Sequence, residues 1–155
     1  MPQARTRPSA CSLPGAARYC GAMSQENVEV IRRGYEAFAK GRIAFELLDP
    51  EIEWRGPREF PDLAETRYGH EGVRRYFAQL NEVFNDYRMV PEEFIDAGGD
   101  QVLVFAREGG QGTGSGIEVQ TNPTGHLWTF HDGKAIRMQS YWERSEALEA
   151  AGLRE

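Results

Sequence analysis

A chain of 155 residues, 40% apolar and 27% charged, suits one domain with a single core. The formal net charge is −6, and the three arginines among residues 1–22 (Arg5, Arg7 and Arg18) leave −9 on the remainder, a balance that opposes nucleic-acid binding. No stretch approaches the roughly 20 apolar residues needed to span a bilayer.

Residues 1–22 are rich in Pro, Ala, Arg and small polar residues and show no apolar period. They read as a disordered extension, of the kind an upstream start codon adds, and they lack the apolar run of a secretory signal. Cys11 and Cys20 both lie there, so a disulfide between them would staple no core. This points to a reducing, cytoplasmic setting. The folded domain is expected over residues 23–155. Ser24 is a good N-cap, Glu26 suits the positive end of a helix dipole, and Val28, Ile31, Tyr35 and Phe38 recur at helical spacing. A first helix is therefore expected over residues 24–40, stopped by Gly41. The stretch "IAFELLD" reads as a short second helix ending at Asp49-Pro50, and "EIEWRG" as a short strand. Residues 56–69 contain Pro57, Pro61 and Gly69 and read as a loop. "HEGVRRYFAQLNEVFNDY" carries Val73, Tyr76, Phe77, Leu80 and Phe84 as an apolar stripe and reads as a third helix, with His70 as a cap at its start. The doublets Arg32–Arg33 and Arg74–Arg75 fit solvated helix faces.

The period changes at residue 88. "RMVPEEFIDAGG", "DQVLVFAREGG", "GIEVQTNPTGHLWTFHDG" and "KAIRMQSYWERS" read as four strands, followed by a terminal helix in "EALEAAGL". Gly98-Gly99 and Asp132-Gly133 favour tight hairpins, and hairpins make antiparallel neighbours. Gly109, Gly110, Gly112, Gly114 and Gly116 suit a bulged hairpin region. They lack the Lys-Ser/Thr and helix start of a phosphate loop. Together these elements predict an α+β fold: a cone-shaped, curved antiparallel sheet with three N-terminal helices packed on its concave face, enclosing a hollow.

The segments "GYEAFAKG", "LLDPEIEWRGP", "YGHEGVRRYF", "GSGIEV", "HLWTFHDGKAIRMQSYWER" and "EALEAAGL", in this order and spacing, resemble the SnoaL-like branch of the nuclear transport factor 2-like superfamily over about residues 24–153. The resemblance implies a fold shared by ketosteroid isomerases, polyketide cyclases, epoxide hydrolases, dehydratases and proteins with no catalysis, so it leaves the activity open. Carried over residue by residue, it places Gly56 where ketosteroid isomerase has its aspartate base. Gly34 falls at the tyrosine of the oxyanion hole, one residue from Tyr35, and His126 at the aspartate of that hole. Ketosteroid isomerase activity is therefore not expected. An arginine between two aspartates, the epoxide-hydrolase arrangement, is also missing, since Arg107 is followed by Glu108 and then glycines.

Strand alternation sorts the candidate pocket residues. His126 shares a face with Trp128 and Phe130, and Met138, Ser140 and Trp142 share one with Ile136. On the preceding strand Leu103, Phe105 and Arg107 form a candidate inner set, although Val102 and Val104 would serve nearly as well. The expected hollow has an aromatic wall of Trp54, Tyr76, Phe105, Trp128 and Trp142, with polar groups at His126, Ser140 and Arg107. The plain alternative is that the aromatics are core and His126 a satisfied structural histidine. His131 is expected to be exposed, and the histidines lack metal-site spacing, so neither metal nor cofactor is expected. Two functions remain open. One is cofactor-free acid–base chemistry of isomerase or cyclase type on a small hydrophobic carbonyl or polyketide-like compound, with His126 acting on an oxygen and Glu53, Arg107 or Tyr35 assisting. The other is a non-catalytic ligand-binding or dimerisation domain. A homodimer through the sheet, covering Val119, Leu127 and Tyr141, fits either.

Overall fold

The computed structural model describes residues 17–154, with side chains from residue 25 onward; residues 1–16, the larger part of the expected extension, lie outside the described residues. The elements in chain order are α1 (Ala17–Ala39), a 3-10 turn (Phe45–Leu47), β1 (Leu48–Arg55), α2 (Pro61–Ala64), β2 (Arg67–Tyr68), α3 (Gly69–Val83), β3 (Phe84–Gly98), β4 (Gln101–Gly112), β5 (Glu118–Gln120), β6 (Thr124–His131), β7 (Lys134–Tyr141) and α4 (Arg144–Ala150). The fold is α+β, with an unclosed sheet in the order β2-β1-β7-β6-β4-β3 and β5 paired to β4.

Several element bounds differ from the sequence expectation, each for a local reason. Helix α1 begins at Ala17, so Ser24 lies inside it and is not its cap. The residues before Ser24 include the strong helix formers Ala, Arg and Met, which carry the helix back. The expected second helix is only the 3-10 turn, and Pro50 sits within β1. Its missing N–H is tolerated because the β1/β7 register shifts between Leu48 and Glu53. That pairing is the one parallel joint in the sheet, between strands no hairpin connects. Helix α3 stops at Val83, and Phe84–Tyr87 join β3. Asn85 and Asp86 disfavour a helix interior, and Asp86 adopts a positive φ of 57°. The long strand expected over residues 116–133 is broken into β5 and β6 around Asn122-Pro123.

The sheet is dry on both faces where it matters. Its inner face packs against Ile31 and Tyr35 of α1 and Val73, Tyr76, Phe77 and Leu80 of α3, together with Ile52, Trp54, Val102, Val104, Trp128 and Met138. Its outer face carries a second cluster in which Leu103, Phe105 and Leu127 meet Ala147 and Leu148 of α4. Helix α4 lies so close that a Cβ on Gly125 would stand 2.3 Å from that of Ala147.

The register assigns the faces. His126 is paired with Val104 on one side and Ser140 on the other, and Trp128 with Val102 and Met138. Residues directly opposite share a face, so Val102, Val104 and Ala106 point inward. Leu103, Phe105 and Arg107 point outward. The expected assignment for β4 is thus reversed. Leu127, expected to be free for a dimer, is covered by α4.

Candidate functional site

The broken strand shapes the site. Glu108 follows Val104 and Ala106 on the inner face of β4, at the end where β5 and the start of β6 come alongside. Its side chain is 14% exposed and opens on a cavity of about 430 Å³. The cavity lies between α2, α3, the start of β3 and the glycine-rich end of β4. Its walls include Phe60, Tyr76, Leu80, Phe84, Tyr87 and Trp142, with Thr121, Thr124 and Glu108 as its polar groups on the sheet side. This volume falls within the usual range of small-molecule sites.

Glu108 is the terminus of a hydrogen-bonded chain that runs into the core. Trp128 Nε1–H donates to the Tyr35 hydroxyl oxygen at 3.1 Å. The Tyr35 O–H, 2.6 Å from His126 Nδ1, donates to that nitrogen. His126 Nε2–H then donates to Glu108 Oε2 at 2.9 Å. The Thr124 hydroxyl also donates to Oε2, and the Tyr87 hydroxyl donates to Oε1. These directions follow from what each group can do. Burial pushes the Tyr35 phenol well above its usual pKa despite the bond from Trp128, so it stays neutral and has one proton to give. A proton on His126 Nδ1 would compete with Trp128 for the phenol oxygen and turn the Tyr35 O–H away without a partner. Glu108 as a carboxylate can only accept, so His126 Nε2 carries a proton in this chain.

Burial alone would raise the pKa of Glu108. The positive charge that His126 carries when protonated, the His126 bond and the hydroxyls of Thr124 and Tyr87 outweigh it, and the carboxyl is held below its ordinary value. Burial and the Glu108 charge push Tyr87 well above the usual phenol value, and the same two causes raise Tyr76. The site thus presents an ionised carboxylate to an apolar cavity, with neutral phenols around it.

The structure brings together two of the residues expected to act on a ligand, His126 and Tyr35, but places both behind Glu108. Neither lines the large cavity. Arg107 is on the outer face, where its Nε donates to Glu92 at 2.6 Å. Glu53 alternates outward from Ile52 and Trp54 and pairs with Arg137 at 3.2 Å. Of the expected pocket wall, Tyr76 and Trp142 line the cavity. Trp142 stands edge-on to Phe60 with ring centroids 5.0 Å apart. Trp54, Trp128 and Met138 are core: the two indoles meet edge-on at 5.5 Å and fill the space beneath α1. Ser140 is buried beside His126 in the sheet, and Phe105 lies under α4. The hollow is displaced toward the open end of the sheet because these aromatics occupy its middle. His70 is not the cap of α3; its Nε2 lies 3.0 Å from the Leu48 carbonyl oxygen.

Three residues of the site were missed: Glu108, Thr124 and Tyr87. The signal for Glu108 was present, since it stands two and four residues after Ala106 and Val104. Pairing Val104 with His126 puts all three on one face. Thr124 is two residues before His126 and follows by the same rule. Tyr87 carried no such signal, being read as the end of a helix. Among the described residues no group of three His, Cys, Asp or Glu side chains is placed to hold a metal ion. No helix there is long and apolar enough to cross a membrane.

The α+β fold is similar to that of solved proteins described as NTF2-like. Within that class the chain belongs to the SnoaL-like domain family, whose model matches residues 31–138. A sequence search of curated proteins gave no match. Among solved structures, the chain is similar to TerC co-crystallised with polyporic acid, at 29% identity and a TM-score of 0.66 over 81% of this chain and 98% of that one. It is similar in fold to a candidate SnoaL-like polyketide cyclase from Jannaschia sp. CCS1, at 22% identity and a TM-score of 0.63, covering 96% and 97% of the two chains. A protein with a ketosteroid isomerase-like fold from Catenulispora acidiphila DSM 44928, in complex with trimethylamine, aligns at 18% identity and a TM-score of 0.54 over 70% and 79%.

Proposed function

We propose that the protein binds a small hydrophobic carbonyl or polyketide-like compound in the 430 Å³ cavity and performs cofactor-free acid–base chemistry on it, with Glu108 as the base. The observation that carries this is an ionised, mostly buried carboxylate facing an apolar cavity, held in place by His126, Thr124 and Tyr87. Glu108 takes a proton from a carbon next to a carbonyl and returns it at another position, as an isomerase or cyclase requires. His126 does not meet the substrate. Its Nε2–H steadies the carboxylate, and Tyr35 fixes the ring in the tautomer that can do so. The similarity to TerC, crystallised with polyporic acid, supports a small organic ligand.

The base of a ketosteroid isomerase has no place here. Residue 56 is glycine, and a Cβ on it would stand 2.6 Å from the Leu63 carbonyl oxygen and 2.9 Å from a ring carbon of Tyr76. Isomerisation of Δ5-3-ketosteroids is therefore not part of the proposal.

One observation favours the non-catalytic reading: three donors on Glu108 lower its basicity, which suits an anchor for a ligand as well as a base. Hydrogen–deuterium exchange separates the two. Small aromatic ketones incubated with the protein in D2O are followed by NMR, with Glu108→Gln alongside. Exchange at the α-carbon by the wild type and not by the variant supports catalysis. Binding without exchange supports the anchor, and neither binding nor exchange overturns both. A homodimer through the sheet would use the part of its outer face that α4 leaves open, which includes Glu53, Arg137, Gln139 and Tyr141; size-exclusion chromatography with light scattering tests it.

A further inference from the structure

The cavity carries a charge that none of its lining residues answers. Glu108 is held as a carboxylate with Tyr87, Thr124 and His126 donating to it, and His126, which stands behind it, does not line the cavity. Among the described lining residues there is a second acid, Asp62, and no lysine or arginine. The guanidinium of Arg67 is not part of the lining; it lies 5.8 Å from the ring centre of Tyr76. Its Nη2 donates to the Asp62 carbonyl and the Gln79 side-chain oxygen, both at 2.7 Å, and its Nε is buried without a hydrogen-bond partner among the described residues. The aromatic side chains of Phe60, Tyr76, Phe84, Tyr87 and Trp142 line the walls, and aromatic faces carry partial negative charge.

An anion entering this space would lose its hydration and meet a like charge with no lysine or arginine in the lining to offset either cost. A neutral hydroxyl meets the opposite situation, since a charge-assisted bond to a carboxylate is among the stronger hydrogen bonds.

Resting on the reading of Glu108 as the working group of the cavity, we propose that the site selects its ligand by charge: it takes an uncharged, flat hydrophobic compound whose hydroxyl donates to Glu108, and it excludes carboxylates and other anions of the same shape. Enols and phenols in their protonated form meet this requirement. Their conjugate bases do not, so the ligand must arrive protonated and lose its proton, if at all, to Glu108.

A set of naphthalenes of one shape and different charge tests this on the wild-type protein: 2-naphthol, 2-methoxynaphthalene, 2-naphthoate and 2-naphthylmethylammonium, titrated calorimetrically at neutral pH. 2-Naphthol is expected to bind at least about tenfold more tightly than the methoxy compound, which has no proton to donate, and than naphthoate. In Glu108→Gln the gap between naphthol and naphthoate should close, because the repelling charge is gone. Naphthoate binding the wild type as tightly as naphthol overturns charge selection and leaves a ligand cavity standing. An ammonium compound binding more tightly than naphthol overturns the choice of a neutral hydroxyl and makes Glu108 a counter-ion. Equal affinity for naphthol and its methyl ether removes Glu108 as the contact. If none of the four binds, the cavity reading fails with the proposal. The outcomes that overturn the proposal are all read on the wild type, so they stand whether or not the variant folds.

Discussion

Arg107 and Glu108 are adjacent in sequence and face opposite sides of β4. Arg107 pairs with Glu92 in an exposed contact, with the two side chains 36% and 42% exposed. Glu108 meets His126 across 2.9 Å with 14% and 5% exposed, and it also holds two hydroxyls. The chemistry of the two pairs is similar: a carboxylate and a nitrogen donor on neighbouring strands. Solvent separates them. Water competes for the outer pair at every moment, whereas the inner carboxylate has only the protein's donors and whatever enters the cavity. Charge near the surface of a sheet therefore says little about function, and charge turned inward at the mouth of a cavity says much.

The largest test of this contrast is Glu108→Ala. It leaves Tyr87 and His126 with donors and no acceptor, while Thr124 keeps the Ala106 carbonyl, and removing one member of a buried network typically costs about 3 kcal/mol. Urea denaturation should show a loss of that order. A variant as stable as the wild type would mean that the network contributes nothing.

The next largest effect is expected at the other end of the chain of bonds. Tyr35→Phe removes one hydroxyl and strands both His126 Nδ1 and Trp128 Nε1, for a loss of about 2 kcal/mol. His126→Phe should cost a similar amount, because it leaves the Tyr35 hydroxyl and Glu108 without their shared partner. Neither residue lines the large cavity. Their effect on ligand affinity should therefore follow from a displaced Glu108, and a crystal structure of Tyr35→Phe should show that carboxylate moved or disordered. An unchanged carboxylate with lost affinity would put Tyr35 or His126 in contact with the ligand after all.

A smaller effect is expected from pH. The folded pKa of Glu108 is depressed, so its contribution to stability is fully present above the unfolded-state value of about 4.3 and is lost as pH falls through the lower folded value. Unfolding free energy should therefore decline more steeply on acidification below about pH 5 in the wild type than in Glu108→Gln, which has no proton to bind there. Equal slopes would show that Glu108 titrates alike in both states.

The helices and hairpins were legible in the sequence wherever one period dominated. The stripe Val73, Tyr76, Phe77 and Leu80 gives α3, and Asp132-Gly133 gives the β6/β7 turn. The resemblance over residues 24–153 anticipated the family shown by the match to residues 31–138. The face assignment on β4 failed because "VLVFAR" is apolar on both alternations. Val102 and Val104 serve the inner core while Leu103 and Phe105 serve α4. Periodicity identifies a buried face only when the other face is wet. His126 was expected to line the hollow, and it stands behind Glu108 instead. A histidine in a sheet looks the same in sequence whether it touches a ligand or holds the residue that does. Glu108 was passed over because it precedes a run of glycines and reads as the start of a turn. Only the pairing of Val104 with His126 turns it inward.

The smallest effect is expected where the contrast began. Arg107→Ala removes an exposed ion pair with Glu92 and a part-buried bond from its Nη1 to the Thr121 carbonyl at 3.2 Å. Exposed pairs of this kind are worth at most about 1 kcal/mol, since water and salt screen the attraction and ordering two long side chains costs entropy. The carbonyl of Thr121 can turn to water when the guanidinium is gone, so no buried acceptor is left bare. The variant should therefore unfold within about 0.5 kcal/mol of the wild type, and the difference should shrink further in high salt. The change in ligand affinity should be small, because Arg107 lies on the far side of the sheet from Glu108 and reaches the cavity wall only through the Thr121 carbonyl. A tenfold loss of affinity in Arg107→Ala would reverse the assignment of the two faces, and with it the placing of the site.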